Sequence, residues 1–218
     1  EGLAAYAPID VSEDALAEAA ARLAQRFPAL RILPVTGDFG APLDLPGDLA
    51  QAPRMGFFPG STIGNFAPEE ARALLASMRA QLAGGPLVIG VDLRKDVSVL
   101  LAAYNDAGGV TAAFNLNLLA RINRELGGDF DLDAFAHEAV WNEAQSRIEM
   151  HLVSRKAQGA QAAGRSFHFA EGERIHTENS CKYDLAAFAH LAEGAGWRVS
   201  RAWTDPRGWF SLQALEPA

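Results

Sequence analysis

Short apolar runs alternate with amphipathic stretches through the first part of the chain. Ala5 to Ile9 reads as an extended segment that ends at Asp10. Ser12 is placed to cap a helix, with Glu13 and Asp14 beside its positive end. Leu16, Leu23 and Phe27 recur at helical spacing until Pro28 stops the run. Arg31 to Val35 predicts a second strand, ending at Gly37-Asp38-Phe39-Gly40, and a polar loop rich in proline and glycine follows to about Arg54. Met55 to Phe58 predicts a third strand. It runs into Pro59-Gly60-Ser61-Thr62-Ile63-Gly64, a loop of small residues that delivers one polar side chain, Asn65. Pro68 suits a first helical position, where its missing N–H breaks no bond. Leu74, Leu75, Met78 and Leu82 form the stripe of that helix, and Gly84-Gly85 ends it. Pro86 to Leu93 is continuously apolar up to Asp92, the mark of a strand buried on both faces in a parallel sheet. This order predicts an α/β sheet with right-handed crossovers. Ligands in such sheets bind beyond the carboxyl ends of the strands. The loop from Phe57 to Asn65 is therefore the first candidate for the floor of a site.

The pattern changes at Lys95. Residues 97–126 read as largely helical, around Leu100, Leu101 and Tyr104 and then Phe114, Leu118, Leu119, Ile122 and Leu126. Gly127-Gly128 breaks the run. Residues 137–157 alternate as antiparallel strands do; Gln158 to Gly164 reads as a turn region, Ser166 to Ala170 as a return strand, and Arg174 to Tyr183 as polar and irregular. Asp184 is placed to cap a last helix with Leu185, Phe188 and Leu191 inward and Gly194 at its end. Trp197 to Trp203 and Trp209 to Leu215 predict a closing antiparallel pair.

Composition narrows the classes. Apolar residues make up 49% of 218, enough for a substantial packed domain. No apolar run approaches the ~20 residues of a membrane span, and no basic, apolar leader marks the chain for secretion. A net charge of -8, with scattered basic residues, argues against a nucleic-acid partner. The single cysteine, Cys181, has no partner for a disulfide. A reducing cytoplasm is the natural expectation. The five histidines are dispersed and read as no metal site.

Two acids close predicted strands, Asp10 and Asp38. A carboxylate at such a place can accept both hydroxyls of a ribose, or the amino group of an adenine. An isolated strand-end aspartate is more simply a cap or a solvated group, and the spacing of the pair brings the two readings level. The glycine-rich turn expected a few tens of residues before Asp10 is absent, so the chain reads as lacking its amino-terminal strand. Four polar segments could meet at a pocket: Gly60 to Asn65, Ala103 to Asp106, Arg147 to Met150, and Thr177 to Tyr183. Alone, Asn65 could equally cap a helix. Tyr104 could be a boundary core residue, Met150 plain core, and Glu178 and Ser180 a surface pair.

Three motifs, FFPGSTIGNF, GVDLRKDVSVLLAAYNDAGGVTAAFNLNLLARIN and IHTENSCKY, closely resemble the histidine-specific methyltransferase family. The resemblance covers essentially the whole chain. It implies S-adenosyl-L-methionine as cofactor and trimethylation of the α-amino group of L-histidine to hercynine, the first step of ergothioneine biosynthesis. It implies a class I, Rossmann-like α/β methyltransferase core over 1–95 and 184–218, with an inserted α+β substrate-binding domain over 96–183. Carried over residue by residue, Asp10 would bind the ribose, and Asp38 with Phe39 the adenine. Asn65 and Tyr104 would hold the substrate carboxylate without placing a charge in the pocket. Glu178 and Ser180 would read the imidazole, with Met150 packing beside it. Alternatives are an Nα-methyltransferase for another aromatic amine, such as a tryptophan derivative, and an amino-acid-binding fragment that takes no cofactor.

Overall fold

The structure is a computed structural model that describes residues 3–41, 43 and 52–218. Most of the expected polar loop before Arg54 lies outside the described residues. The first strand is interrupted: β1 (Ala5–Tyr6) and β2 (Ile9–Asp10) flank Pro8, which has no N–H for the ladder. Helix α1 (Glu13–Arg26) follows, and the Ser12 hydroxyl accepts from the Ala15 N–H as the sequence predicts. Leu16 is buried and Leu23 half-buried, whereas Phe27 is exposed. The next strand is interrupted in the same way, as β3 (Arg31–Ile32) and β4 (Val35–Thr36) on either side of Pro34. The two interrupted strands run parallel, with Ala5 opposite Arg31 and Ile9 opposite Val35. Bonds from Leu33 N–H to Tyr6 and from Val35 N–H to Pro8 carry the pairing across the prolines.

Next come β5 (Gly56–Phe58), a short 3-10 turn (Thr62–Asn65), α2 (Pro68–Leu82) and β6 (Leu87–Asp92). The predicted glycine stop of α2 begins one residue early, with Ala83 already left-handed at φ 49°. The helical stretch then divides into α3 (Val97–Tyr104) and α4 (Val110–Leu126). The break is chemical: Asp106, three residues before the Gly109 N-cap, accepts from the N–H groups of Val110 and Thr111 in the first turn of α4. Those bonds, the one from Thr111 first, hold its pKa down to about 2.

A three-stranded antiparallel sheet follows, built from β7 (Phe135–Asn142), β8 (Arg147–Ser154) and, later in the chain, β11 (Arg174–Cys181), in the order β11-β8-β7. Between β8 and β11 lies a hairpin of β9 (Gln158–Ala162) and β10 (Arg165–Phe169). Two sequence expectations fail here. Residues 158–162 are a strand, not a turn; the turn is only Ala163-Gly164, at φ 48° and 72°. Glycine, alanine and glutamine carry little strand preference, but Ala160 and Ala162 alternate into a core with Leu119 and Phe135. Residues 174–181 are likewise a regular strand. They read as irregular because both faces are polar, and a bulge shifts the register between His176 and Glu178.

The chain closes with α5 (Leu185–Glu193), capped by Asp184, and then β12 (Trp197–Thr204) and β13 (Phe210–Pro217). Helix α5 buries Phe188 and Ala192; Leu185, expected inward, is exposed. The sheet order is β12-β13-β6-β5, with β5 parallel and β13 antiparallel to β6. Its core joins Ile63, Leu75, Ile89, Phe188, Trp197 and Leu215. The Trp197 indole N–H donates to the Leu75 carbonyl at 2.9 Å, so the largest core side chain is buried with its one polar atom satisfied.

Candidate functional site

The two larger sheets meet where β6 and β11 end. The N–H of Tyr183 reaches the Asp92 carbonyl at 3.3 Å, and the N–H of Arg94 reaches the Tyr183 carbonyl at 2.8 Å. The turn after β5 fits into this junction. Ser61 adopts a left-handed conformation at φ 58°, a strain of ~1–3 kcal/mol for a residue with a Cβ. In return its hydroxyl accepts from the Asp92 N–H at 2.8 Å. Gly64 lies so close to β11 that a Cβ would stand 2.9 Å from the Cys181 carbonyl oxygen, so this position needs glycine. The buried Cys181 thiol, its pKa pushed up by burial, donates to the Phe66 carbonyl at 3.5 Å.

Beyond these strand ends lies a cavity of about 430 Å³. Its walls are Gly60, Ser61, Thr62 and Asn65 from the turn, Asp92 from β6, Tyr104 from α3, Phe210 from β13, and Glu178, Ser180 and Lys182 from β11 and its continuation. Tyr104 is set by the end of its helix. His137 Nε2 donates to the Tyr104 carbonyl at 2.8 Å, and the Asn105 side chain both donates to and accepts from the backbone of Ala139. Glu178 and Ser180 lie two apart on β11, opposite Met150 and Ile148 on β8, so they share one face. Burial pushes the Glu178 carboxyl above the usual range, against the opposing pull of Lys182.

The sequence-predicted substrate residues therefore divide. Asn65, Tyr104, Glu178 and Ser180 line one cavity. Met150, paired with Glu178 on the same face, is not part of the cavity lining: it is 3% exposed, packed with Leu100, Ala139 and Ile148 and flanked by Tyr104. The cofactor-side acids do not line the cavity. Asp10 and Asp38 end neighbouring parallel strands as expected, and both are exposed. Each accepts one local N–H, from Ser12 at 2.9 Å and from Gly40 at 2.8 Å. Phe39 links the two sides, packing on Phe58 at 5.3 Å and on Phe66, the neighbour of Asn65, at 6.4 Å.

Two residues escaped the sequence reading, Asp92 and Lys182. Lys182 is 3% exposed and bonds to Ser180 Oγ at 2.7 Å, to Asp92 Oδ2 at 2.8 Å and to Tyr104 Oη at 2.9 Å. Asp92 also holds Lys95 at 2.5 Å. An ammonium thus stands directly behind the neutral Tyr104 hydroxyl, a charge that the sequence reading did not place there. The signal was present: Glu178, Ser180 and Lys182 continue one period of two.

Two of the five dispersed histidines meet. On the other face of β8 and β11, the rings of His151 and His176 stack at 5.0 Å beside Glu149. The donor atoms of the three residues lie within 4.8 Å of one another. Glu149 already has Arg147 at 2.7 Å and the Asn142 amide at 2.8 Å on the same oxygen, so its charge is balanced within the protein.

Residues 1–217 match the family model described as histidine-specific methyltransferase, SAM-dependent, and the chain belongs to that family. It is 44% identical over 220 residues to a histidine N-alpha-methyltransferase of Mycolicibacterium smegmatis, covering 97% of this chain and 66% of that protein. A histidine N-alpha-methyltransferase of Mycobacterium tuberculosis is 41% identical over 217 residues, covering 95% of this chain and 65% of that one. The chain thus spans about two thirds of the length of these relatives. The fold is similar to that of an S-adenosylmethionine-dependent methyltransferase crystal structure from Clostridium acetobutylicum. There the TM-score is 0.52 at 10% identity, over 97% of this chain and 74% of that one.

Proposed function

We propose that this chain acts in the S-adenosyl-L-methionine-dependent trimethylation of the α-amino group of L-histidine to hercynine, as in ergothioneine biosynthesis. The reading rests above all on the convergence of Asn65, Tyr104, Glu178 and Ser180 on one cavity in a member of this family. Asn65 and Tyr104 carry N–H and O–H donors for the substrate carboxylate. When ionised, Glu178 can only accept, which suits an imidazole N–H, and the Ser180 hydroxyl can serve the other ring nitrogen. Fixing both ends of the amino acid orients its amine, and orientation of this kind contributes several kcal/mol to a displacement.

The donor set also fits the cofactor. Asp10 and Asp38 present exposed carboxylates at the ends of adjacent parallel strands, suited to hydroxyl and amino donors. Asp10 would hold the ribose, and Asp38 with Phe39 the adenine. When bound, the cofactor supplies an electrophilic methyl group on a sulfonium. The division into a core of 1–95 and 184–218 and an inserted substrate-binding unit of 96–183 belongs to the same proposal, as does action as a cytoplasmic monomer. No helix among the described residues is long and apolar enough to cross a membrane.

A methyl-transfer assay offering L-histidine beside L-tryptophan, with product masses, tests the reading. Conversion of L-histidine to its trimethylated form supports it. Preferential methylation of L-tryptophan, or no transfer to either, overturns it.

A further inference from the structure

Lys182 is the most heavily bonded charge in the cavity wall. An ammonium has three N–H groups and no acceptor. Here all three have partners: Ser180 Oγ at 2.7 Å, Asp92 Oδ2 at 2.8 Å and Tyr104 Oη at 2.9 Å. The side chain is 1% exposed, and its nitrogen also stands 4.8 Å from the centre of the Tyr104 ring.

This arrangement constrains the two hydroxyls. Each accepts from Lys182, so each must direct its own proton elsewhere. Tyr104 Oη and Ser180 Oγ are 2.7 Å apart, and only one of the two protons can lie between them. The other needs a third acceptor, and the cavity that both residues line is the open direction. Lys182 therefore turns two ambivalent hydroxyls into a pair that presents one O–H to the ligand. Lys95 and Lys182 share the single Asp92 carboxylate, so that one acid does not neutralise both ammonium groups, and the positive end of the wall lies at Lys182. Glu178 gives the wall negative charge two residues before Ser180.

We propose that Lys182 is a positioning residue that makes the pocket selective for ligands with a free carboxylate and sets which way the amino acid lies. It acts through Tyr104 and Ser180, without touching the ligand. The carboxylate docks at the oriented O–H beside Lys182, and Glu178 repels it from the other end. This inference rests on the amino-acid reading above, and adds a determinant of orientation to it.

The test is calorimetry of the full chain with L-histidine and with L-histidinamide, whose carboxylate is replaced by a neutral amide. Lys182→Met removes the charge while Lys95 still pairs with Asp92. Lys182→Gln keeps a polar atom in the buried position should the methionine variant not fold. In the wild type, L-histidine is expected to bind more tightly than its amide. In the variants that ratio is expected to fall at least tenfold, chiefly through weaker L-histidine binding. An unchanged ratio, whether both affinities drop together or neither does, overturns the role of Lys182. A wild-type chain that binds neither ligand overturns the amino-acid reading itself.

Discussion

The wall built by β11 and the strand ends at Asp10 and Asp38 face the two halves of one proposed reaction, yet they are made differently. Ser180 and Lys182 are buried, and their polar atoms bond to one another, to Tyr104 and to Asp92 across two sheets. Asp10 and Asp38 are exposed, and their side-chain bonds reach only two residues along the chain. A buried polar network fixes its members in one arrangement, because any other leaves an unpaired group costing ~1–3 kcal/mol. A strand-end carboxylate in a local turn carries no such constraint. The wall lined by β11 is thus pre-built by tertiary contacts, while Asp10 and Asp38 sit at the ends of short, proline-interrupted strands. Substitutions should then affect stability and ligand binding together on the first side and separately on the second.

The largest effect is expected from Glu178→Ala. Loss of a hydrogen bond to a charged group corresponds to ~1.5–3 kcal/mol, or about a tenfold to hundredfold rise in KM for L-histidine. The KM for S-adenosylmethionine is expected to stay within about twofold. An equal rise in both would dissolve the distinction between the two sides. Tyr104→Phe comes next. It is expected to raise the KM for L-histidine about fivefold to tenfold and to lower Tm by several degrees, since Lys182 loses an acceptor in a buried position. A variant with wild-type Tm would show the network to be looser than its distances imply.

Asp10→Ala sharpens the contrast from the other side. Titration with S-adenosylhomocysteine is expected to show about a fivefold loss of affinity, with Tm moved by no more than about 2 °C. The smallest effect is also the most specific. Burial raises the carboxyl pKa of Glu178 above its unfolded value, so the native state holds that proton more tightly. The stability this contributes is full below the unfolded pKa and is lost as pH rises through the folded one. Glu178→Gln cannot ionise. It is therefore expected to melt about 1–3 °C above the wild type near pH 8, with the gap closing in acid. Thermal melts across that range check the sign; a variant that is less stable at pH 8 would contradict it.

How much of this was legible in the sequence depended on how local the cause was. Ser12, Pro68 and Asp184 mark helix starts through bonds or backbone preferences within a few residues, and all three helices begin there. The apolar run from Leu87 to Val91 announced a buried strand, and β6 is central, between β5 and β13, with Leu87, Ile89 and Val91 buried on one face and Val88 only half-buried on the other. Asn65, Tyr104, Glu178 and Ser180 were found through motifs, and they share one cavity. The failures lie where partners are distant. Residues 158–162 have the composition of a turn, and only packing against α4 and pairing with β10 make them a strand. His151 and His176 are far apart along the chain until the pairing of β8 with β11 stacks them.

The sequence by itself determined the α/β order of elements, the helix caps, the polar loop after β5 and the resemblance that names the reaction class. Those features depend on periodicity and on chemistry within a few residues. Tertiary structure decided what surrounds the loop. It brought Lys182 against Tyr104, 78 residues apart in the chain, and against Asp92 at the end of another sheet. The charge of a pocket is set by which side chains are buried together, and that follows from how sheets meet, which no local pattern encodes.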